Sequence, residues 1–128
     1  MWYKSNMSNK VLIIEDEHDL RSLYAEILTN AGYVVDQAPD GEVGMDKIIN
    51  SVWDLMLLDI MLPGKDGLRI LKEMKENPAL KKGHVIVTTN LNSEHIIQEA
   101  FNLGADGYLI KSEITPDKII DEVKEFLK

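Results

Sequence analysis

The feature that most constrains this chain is an apolar run at residues 55–58 that ends on a single acid, Asp59. A loop containing Pro63 and Gly64 follows, and a helical pattern then begins. A short apolar run bounded by turn residues is typical of a strand that is buried on both faces. Open α/β folds bind ligands outside the carboxyl ends of such strands. We therefore predict a central strand that places Asp59 at the mouth of a ligand-binding crevice.

Apolar segments alternate with amphipathic segments along the rest of the chain. The predicted strands lie at 10–14, 33–37, 54–58, 85–87 and 108–110. A helical pattern follows each strand; in the first, Leu20, Leu23, Ile27 and Leu28 share the inward face. Because the connections are short, this alternation predicts an α/β fold with a five-stranded parallel sheet in the order 2-1-3-4-5 and five flanking helices. This arrangement is the flavodoxin-like doubly wound fold, whose crevice lies between strands 1 and 3.

The bulk properties of the chain exclude several classes of function. A length of 128 residues suits one domain, and residues 1–9 lack periodicity, so we predict a flexible tail followed by a folded domain at 10–128. A net charge of −8 argues against direct nucleic-acid binding. The absence of cysteine excludes disulfides and thiol chemistry. No apolar run approaches the ~18 residues of a membrane span, and no signal peptide is visible, which predicts a cytoplasmic location with no membrane partner.

Charged and hydroxyl side chains follow four neighbouring strands of the predicted sheet. The strand ends carry Glu15 and Asp16 on strand 1, Asp59 on strand 3, Thr88 and Thr89 on strand 4, and Lys111 on strand 5. Adjacent strands lie about 4.8 Å apart, so these carboxylates can share one cation. Mg²⁺ prefers one or two carboxylates with water and phosphate oxygens, and a lysine suits phosphate. An aspartate nucleophile with Mg²⁺, a lysine and a hydroxyl predicts a phosphoryl-transfer site.

Four segments with this spacing resemble the receiver domain of two-component response regulators, of the single-domain chemotaxis-regulator type, over residues 10–128. The segments are 11–17 (VLIIEDE), 57–64 (LLDIMLPG), 85–89 (VIVTT) and 104–111 (GADGYLIK). The resemblance implies a phosphoacceptor signalling domain, rather than an enzyme with a separate substrate, that catalyses its own phosphorylation and dephosphorylation. It also implies a histidine kinase or histidine phosphotransfer protein as the donor.

The resemblance implies roles for individual residues. Asp59 resembles the phosphoacceptor, and Asp16 a direct Mg²⁺ ligand. Glu15 is expected to act on the metal through water, and the backbone carbonyl of Met61 resembles a further ligand.

Three further residues resemble the phosphate-binding and switching groups of the family. Thr89 resembles the switch hydroxyl, because it lies 30 residues after Asp59 and 22 before Lys111. Lys111 resembles the phosphate-binding lysine, and Tyr108 the aromatic side chain that rotates inward. The fourth helix, fifth strand and fifth helix then form the face that binds a downstream partner.

The chain departs from the family pattern at three positions. Ser112 stands where proline is usual, which leaves a cis or trans Lys111–Ser112 peptide open. Asn90 replaces a small residue and is expected to narrow access to the phosphoryl group. Met61 is apolar at a position that influences dephosphorylation. Together these departures predict slow hydrolysis.

Other readings stay open at this stage. A phosphatase with an aspartyl-phosphate intermediate would want a second acid where Met61 stands, and a nucleotide- or flavin-binding module would want a glycine-rich loop after strand 1. A phosphorylation-independent pseudo-receiver and a plain core role for Tyr108 are further alternatives. Because the chain ends with the last helix, we expect either output through a bound partner, from a monomer or a weak dimer on phosphorylation, or an excised domain of a longer protein. The kinase, the partner and the pathway do not follow from the sequence.

Overall fold

One five-stranded parallel sheet organises the computed structural model, which describes residues 9–90 and 93–127. The strands are β1 (Lys10–Ile14), β2 (Val34–Ala38), β3 (Leu55–Asp59), β4 (His84–Thr89) and β5 (Gly107–Ile110). Their order is β2-β1-β3-β4-β5 with every neighbouring pair parallel, which confirms the predicted topology. Residues 1–8 of the predicted tail lie outside the described residues, and the Asn9 carbonyl accepts the Val34 N–H at 3.0 Å.

Among the described residues, five helices flank the sheet, and two 3₁₀ turns, Pro78–Leu80 and Lys111–Glu113, lie between elements. The helices are α1 (His18–Asn30), α2 (Gly41–Asn50), α3 (Gly67–Glu76), α4 (Glu94–Asn102) and α5 (Pro116–Phe126). Within the described ranges, no helix combines the length and the apolarity that crossing a bilayer requires.

The two faces of the sheet bury separate apolar clusters, because successive strand side chains point to opposite faces. Helices α2, α3 and α4 cover the cluster that contains Met56 and Leu58. Helices α1 and α5 cover the other, which contains Leu57 and Ile86. All five residues of β3 are buried, as expected for the central strand.

The predicted inward face of α1 is wrong at one position. Leu23 is 46% exposed, whereas Tyr24 is buried, with 2% of its surface exposed. The stripe that contacts the sheet and α5 runs through Leu20, Tyr24 and Leu28 at a spacing of four residues. Leu23 therefore lies on the flank of the helix.

Two glycines fix the loop at 60–66 that follows β3. A Cβ atom at Gly67 would collide with the Asp59 carbonyl, and one at Gly41 would collide with the Lys65 carbonyl. The Gly67 N–H donates to the Ile60 carbonyl at 2.9 Å. Backbone packing thus holds both ends of the loop against its neighbours, directly beside the end of β3.

Candidate functional site

Asp59 lies at the centre of the crevice, at the carboxyl end of β3. Its side chain is buried, with 1% of the residue exposed. Oδ1 accepts the Met61 N–H at 3.1 Å, and Oδ2 accepts a hydrogen bond from Lys111 Nζ at 2.8 Å. These two contacts fix the orientation of the carboxylate.

Lys111 bridges two acids that come from different strands. Its Nζ lies 2.8 Å from Glu15 Oε1 and 2.8 Å from Asp59 Oδ2. Glu15 is also buried, and its Oε2 accepts the Glu17 N–H at 3.0 Å. Lys111 Nζ is the one charged contact of Oε1 among the described residues, so Oε1 keeps unused acceptor capacity.

Burial and charge shift the protonation of this cluster. Burial is the largest effect on the pKa of Asp59, which is raised to about 6 in total, with the Lys111 hydrogen bond lowering it and the charge of Glu15 raising it. Burial opposes the charged form of Lys111, but pairing with Asp59 and Glu15 outweighs that effect and raises the lysine pKa. The cluster therefore holds more negative charge than one ammonium group neutralises.

The acidic cluster could bind a metal ion. Glu15, Asp16 and Asp59 each offer a carboxylate oxygen, and these oxygens all lie within 4.8 Å of one another. Asp16 is exposed, so the cluster opens to solvent on one side. Carboxylate oxygens suit hard divalent cations, and the excess negative charge favours one. The residues present thus fit the predicted magnesium site, in which the Met61 carbonyl stays a prediction.

The threonines after Val87 are both buried, with 2% of Thr88 and none of Thr89 exposed. Thr88 is paired in register with Asp59, and Thr89 lies one residue further along β4, beside Ile110. The structure brings both to the correct end of the sheet, and the assignment of the switch role to Thr89 stays a prediction.

The residues predicted to tune the site lie around its mouth. Asn90 is exposed directly after β4, and Met61 is 61% exposed in the loop after β3. Ser112 is exposed within the 3₁₀ turn. The Lys111–Ser112 peptide is trans, since the described residues contain no cis bond.

Tyr108 lies on the surface, so the interpretation as a core aromatic is wrong. The side chain is 42% exposed, and its ring meets Phe101 edge to face at a centroid distance of 6.1 Å. Residues of β5 alternate in direction, which turns Tyr108 toward α4 while Leu109 packs inward.

Two residues of α1 interact with Glu15 although sequence reasoning assigned them no role there. Arg21 donates from Nη1 to the Glu15 carbonyl at 2.8 Å. The Tyr24 hydroxyl is buried without a hydrogen-bond partner among the described residues, and burial together with the Glu15 charge raises its pKa to about 12. One sequence signal could have identified Tyr24: it is an aromatic residue with a hydroxyl group, and it lies within the apolar stripe of a helix that begins beside the site.

Residues 11–124 match the family model of the response regulator receiver domain. The chain belongs to this family. Receiver domains are phosphoacceptor signalling domains of two-component systems that interact with kinases and phosphotransfer proteins, and this one carries the family's acidic pocket.

Two full-length relatives are similar to this receiver domain. It is 37% identical over 124 residues to sporulation initiation phosphotransferase F of Bacillus subtilis, covering 94% of the chain and 95% of that protein. It is 31% identical over 121 residues to the chemotaxis protein CheY of Halobacterium salinarum, with coverages of 94% and 98%. In contrast, the chain spans 48% of the length of transcriptional regulatory protein ResD of Bacillus subtilis and 14% of the gliding motility regulatory protein of Myxococcus xanthus.

Solved structures share the fold along most of the chain. A CheY-like receiver domain from Methanospirillum hungatei superimposes with a TM-score of 0.83 at 29% identity, and 92% of each chain is covered. A two-component response regulator from Clostridium difficile gives a TM-score of 0.86 at 28% identity, with coverages of 94% and 96%.

Proposed function

We propose that this receiver domain accepts a phosphoryl group on Asp59 from the phosphohistidine of a histidine kinase or a histidine phosphotransfer protein. The observation that carries the proposal is a buried Asp59 carboxylate 2.8 Å from Lys111 Nζ, with two more carboxylates in the same cluster. A carboxylate oxygen attacks phosphorus, the phosphorus–nitrogen bond of the donor breaks, and an acyl phosphate forms while the imidazole leaves.

The residues around Asp59 prepare it for this attack. The Met61 N–H holds Oδ1, so Oδ2 is the oxygen that faces an incoming donor once Lys111 moves aside. With a pKa of about 6, Asp59 is ionised and nucleophilic above that pH. Lys111 then places its ammonium group against the transferred phosphoryl oxygens, where charge neutralisation and positioning account for most of the rate enhancement.

Asp16, Asp59 and the backbone carbonyl of Met61 would hold Mg²⁺, with Glu15 acting through water. When bound, the ion supplies charge neutralisation between the carboxylates and the phosphoryl oxygens. The close approach of the Glu15, Asp16 and Asp59 oxygens supports this assignment.

Phosphorylation changes the conformation of the surface formed by α4, β5 and α5. Thr89 and Lys111 move toward the new charge, and Tyr108 rotates inward from its exposed position. The affected face of α4, β5 and α5 contains a groove of about 520 Å³ lined by Phe101, Tyr108 and Phe126. A downstream protein partner binds there, and the receiver acts as a monomer or a weak phosphorylation-dependent dimer.

The receiver also removes its own phosphoryl group, and slowly. Water must pass the exposed apolar side chain of Met61 and the exposed Asn90 to reach the acyl phosphate. We expect a phosphoryl lifetime of minutes or longer, and a shorter one in Asn90→Ala. A lifetime of only seconds in the unmodified protein would contradict this part of the proposal.

The proposal is tested by incubation with Mg²⁺ and acetyl phosphate, followed by intact mass spectrometry. The unmodified chain should gain one phosphoryl group, and Asp59→Asn should gain none. Asp19→Asn is the matched control, because the Asp19 side chain is 97% exposed, and it should be phosphorylated normally. If the unmodified chain gains no phosphoryl group, the protein is a phosphorylation-independent pseudo-receiver.

A further inference from the structure

The Tyr24 hydroxyl is a buried polar group that the proposed phosphoryl transfer does not use. The residue is 2% exposed, and its ring packs in the apolar cluster with Leu57 and Leu109. Within the described ranges its oxygen has no hydrogen-bond partner. Buried polar groups are nearly always paired, and phenylalanine would fill the same space, so the hydroxyl requires an explanation.

The geometry of α1 directs this hydroxyl toward the acidic cluster. The helix begins at His18, shortly after β1 ends, so its N-terminus lies beside the site. Side chains of a helix lean toward its N-terminus, which carries the Tyr24 ring back toward Glu15. The charges that act on the hydroxyl are accordingly those of Glu15, Lys111, Asp59 and Glu17, and with a pKa of about 12 the hydroxyl is a protonated donor at neutral pH.

Glu15 supplies a matching acceptor. Oε2 already accepts the Glu17 N–H, whereas Oε1 is buried and has Lys111 as its one charged contact within the described ranges. When Lys111 turns to a phosphoryl group on Asp59, Oε1 loses that contact while it stays buried. Losing its cationic contact is costly for a buried carboxylate oxygen even when a metal-bound water lies beside it, so a replacement donor would favour the move of Lys111.

We propose that the Tyr24 hydroxyl donates a hydrogen bond to Glu15 Oε1, directly or through one buried water, when Lys111 leaves Glu15 for the phosphoryl group. Tyr24 is then a positioning residue: it stabilises the carboxylate that Lys111 abandons. The inference rests on the proposed function, because it requires that Lys111 engages a phosphoryl group on Asp59.

Beryllofluoride with Mg²⁺ serves as the probe, because it mimics a phosphoryl group on an aspartate. Tyr24→Phe removes only the hydroxyl and should weaken beryllofluoride binding about tenfold, the effect of losing one hydrogen bond to a charged group. Its thermal stability without Mg²⁺ and beryllofluoride should be equal to or above that of the unmodified chain, because no existing bond is lost. Tyr33→Phe is the matched control and should bind the probe normally.

A second measurement needs no variant. In the unmodified chain labelled with ¹³Cζ-tyrosine, the Tyr24 resonance should move when Mg²⁺ and beryllofluoride are added, because its hydroxyl gains an acceptor. Equal beryllofluoride affinity in Tyr24→Phe, or an unchanged Tyr24 resonance in the loaded chain, overturns the inference. If the unmodified chain does not bind beryllofluoride, the proposed function itself fails and the inference falls with it.

Discussion

Replacing Asp59 by asparagine is expected to stabilise the unphosphorylated receiver at neutral pH. Burial, together with repulsion from Glu15, raises the Asp59 pKa from 3.8 to about 6 despite the pairing with Lys111. Between these two values the folded state keeps a proton that the unfolded state has released. The free energy of unfolding of the unmodified chain therefore falls as the pH rises through this window, and the loss is complete above pH 6.

The size of the effect follows from the width of the window. A difference of roughly 2 pKa units corresponds to about 3 kcal/mol, at about 1.4 kcal/mol for each unit. Asparagine keeps an acceptor for the Met61 N–H but removes one of the two acidic contacts of Lys111, leaving that with Glu15, which offsets about 1 kcal/mol. We expect Asp59→Asn to be about 2 kcal/mol more stable at pH 8, with a gain near zero around pH 4.5.

Urea unfolding between pH 4.5 and pH 8 in the presence of EDTA measures this gain without interference from divalent metal. Asp19→Asn removes a negative charge from a side chain that is 97% exposed, so its stability should follow that of the unmodified chain across the same range. The reasoning is refuted if Asp59→Asn is no more stable than the unmodified chain at pH 8, or if its gain does not change with pH.

Three further outcomes follow from the packing. Thr115→Ala should lower the free energy of unfolding by about 1 kcal/mol, because Thr115 Oγ1 caps α5 by accepting the Lys118 N–H at 3.2 Å. Ser93→Ala should lower it less, because the Ser93 side chain makes no cap bond at the start of α4. Thermal unfolding compares the two variants. Ile86→Ala should cost about 3 kcal/mol in urea unfolding, since this β4 side chain is fully buried. Gly41→Ala should slow phosphorylation by acetyl phosphate several-fold, because its Cβ would displace the loop at 60–66, while Glu42→Ala should leave the rate unchanged.

The fold could be predicted from the sequence because the local hydrophobic pattern and the rules of sheet topology indicate the same structure. The alternation of apolar runs with amphipathic segments allowed one well-known sheet order, and the run at 55–58 could be accommodated only in the centre of that sheet. The same topology places the strand ends side by side. The sequence therefore predicted that four side chains lie close together, and the structure shows this for Glu15, Asp16, Asp59 and Lys111. Their roles in phosphoryl transfer stay predictions.

What the sequence did not reveal depends on three-dimensional neighbours. Leu23 and Tyr24 are both apolar enough to face inward, and only the position of α5 decides between them. Ser93 has the right residue type for a cap and lies at the N-cap position, but its side chain makes no cap hydrogen bond. The ion pairs of Lys111 with two acids also depend on side-chain reach across four neighbouring strands, which spacing along the chain does not encode.

The two glycines that pack against the loop after β3 limit how this region can vary during evolution. Gly67 lies against the backbone of Asp59, and Gly41 lies against the backbone of Lys65, so the path between the two contacts has a fixed span. Residue types within the loop can change, since Met61 is largely exposed, but adding or removing a residue would break one of the contacts. Among homologues we therefore expect substitutions within residues 61–65 and a constant number of residues there.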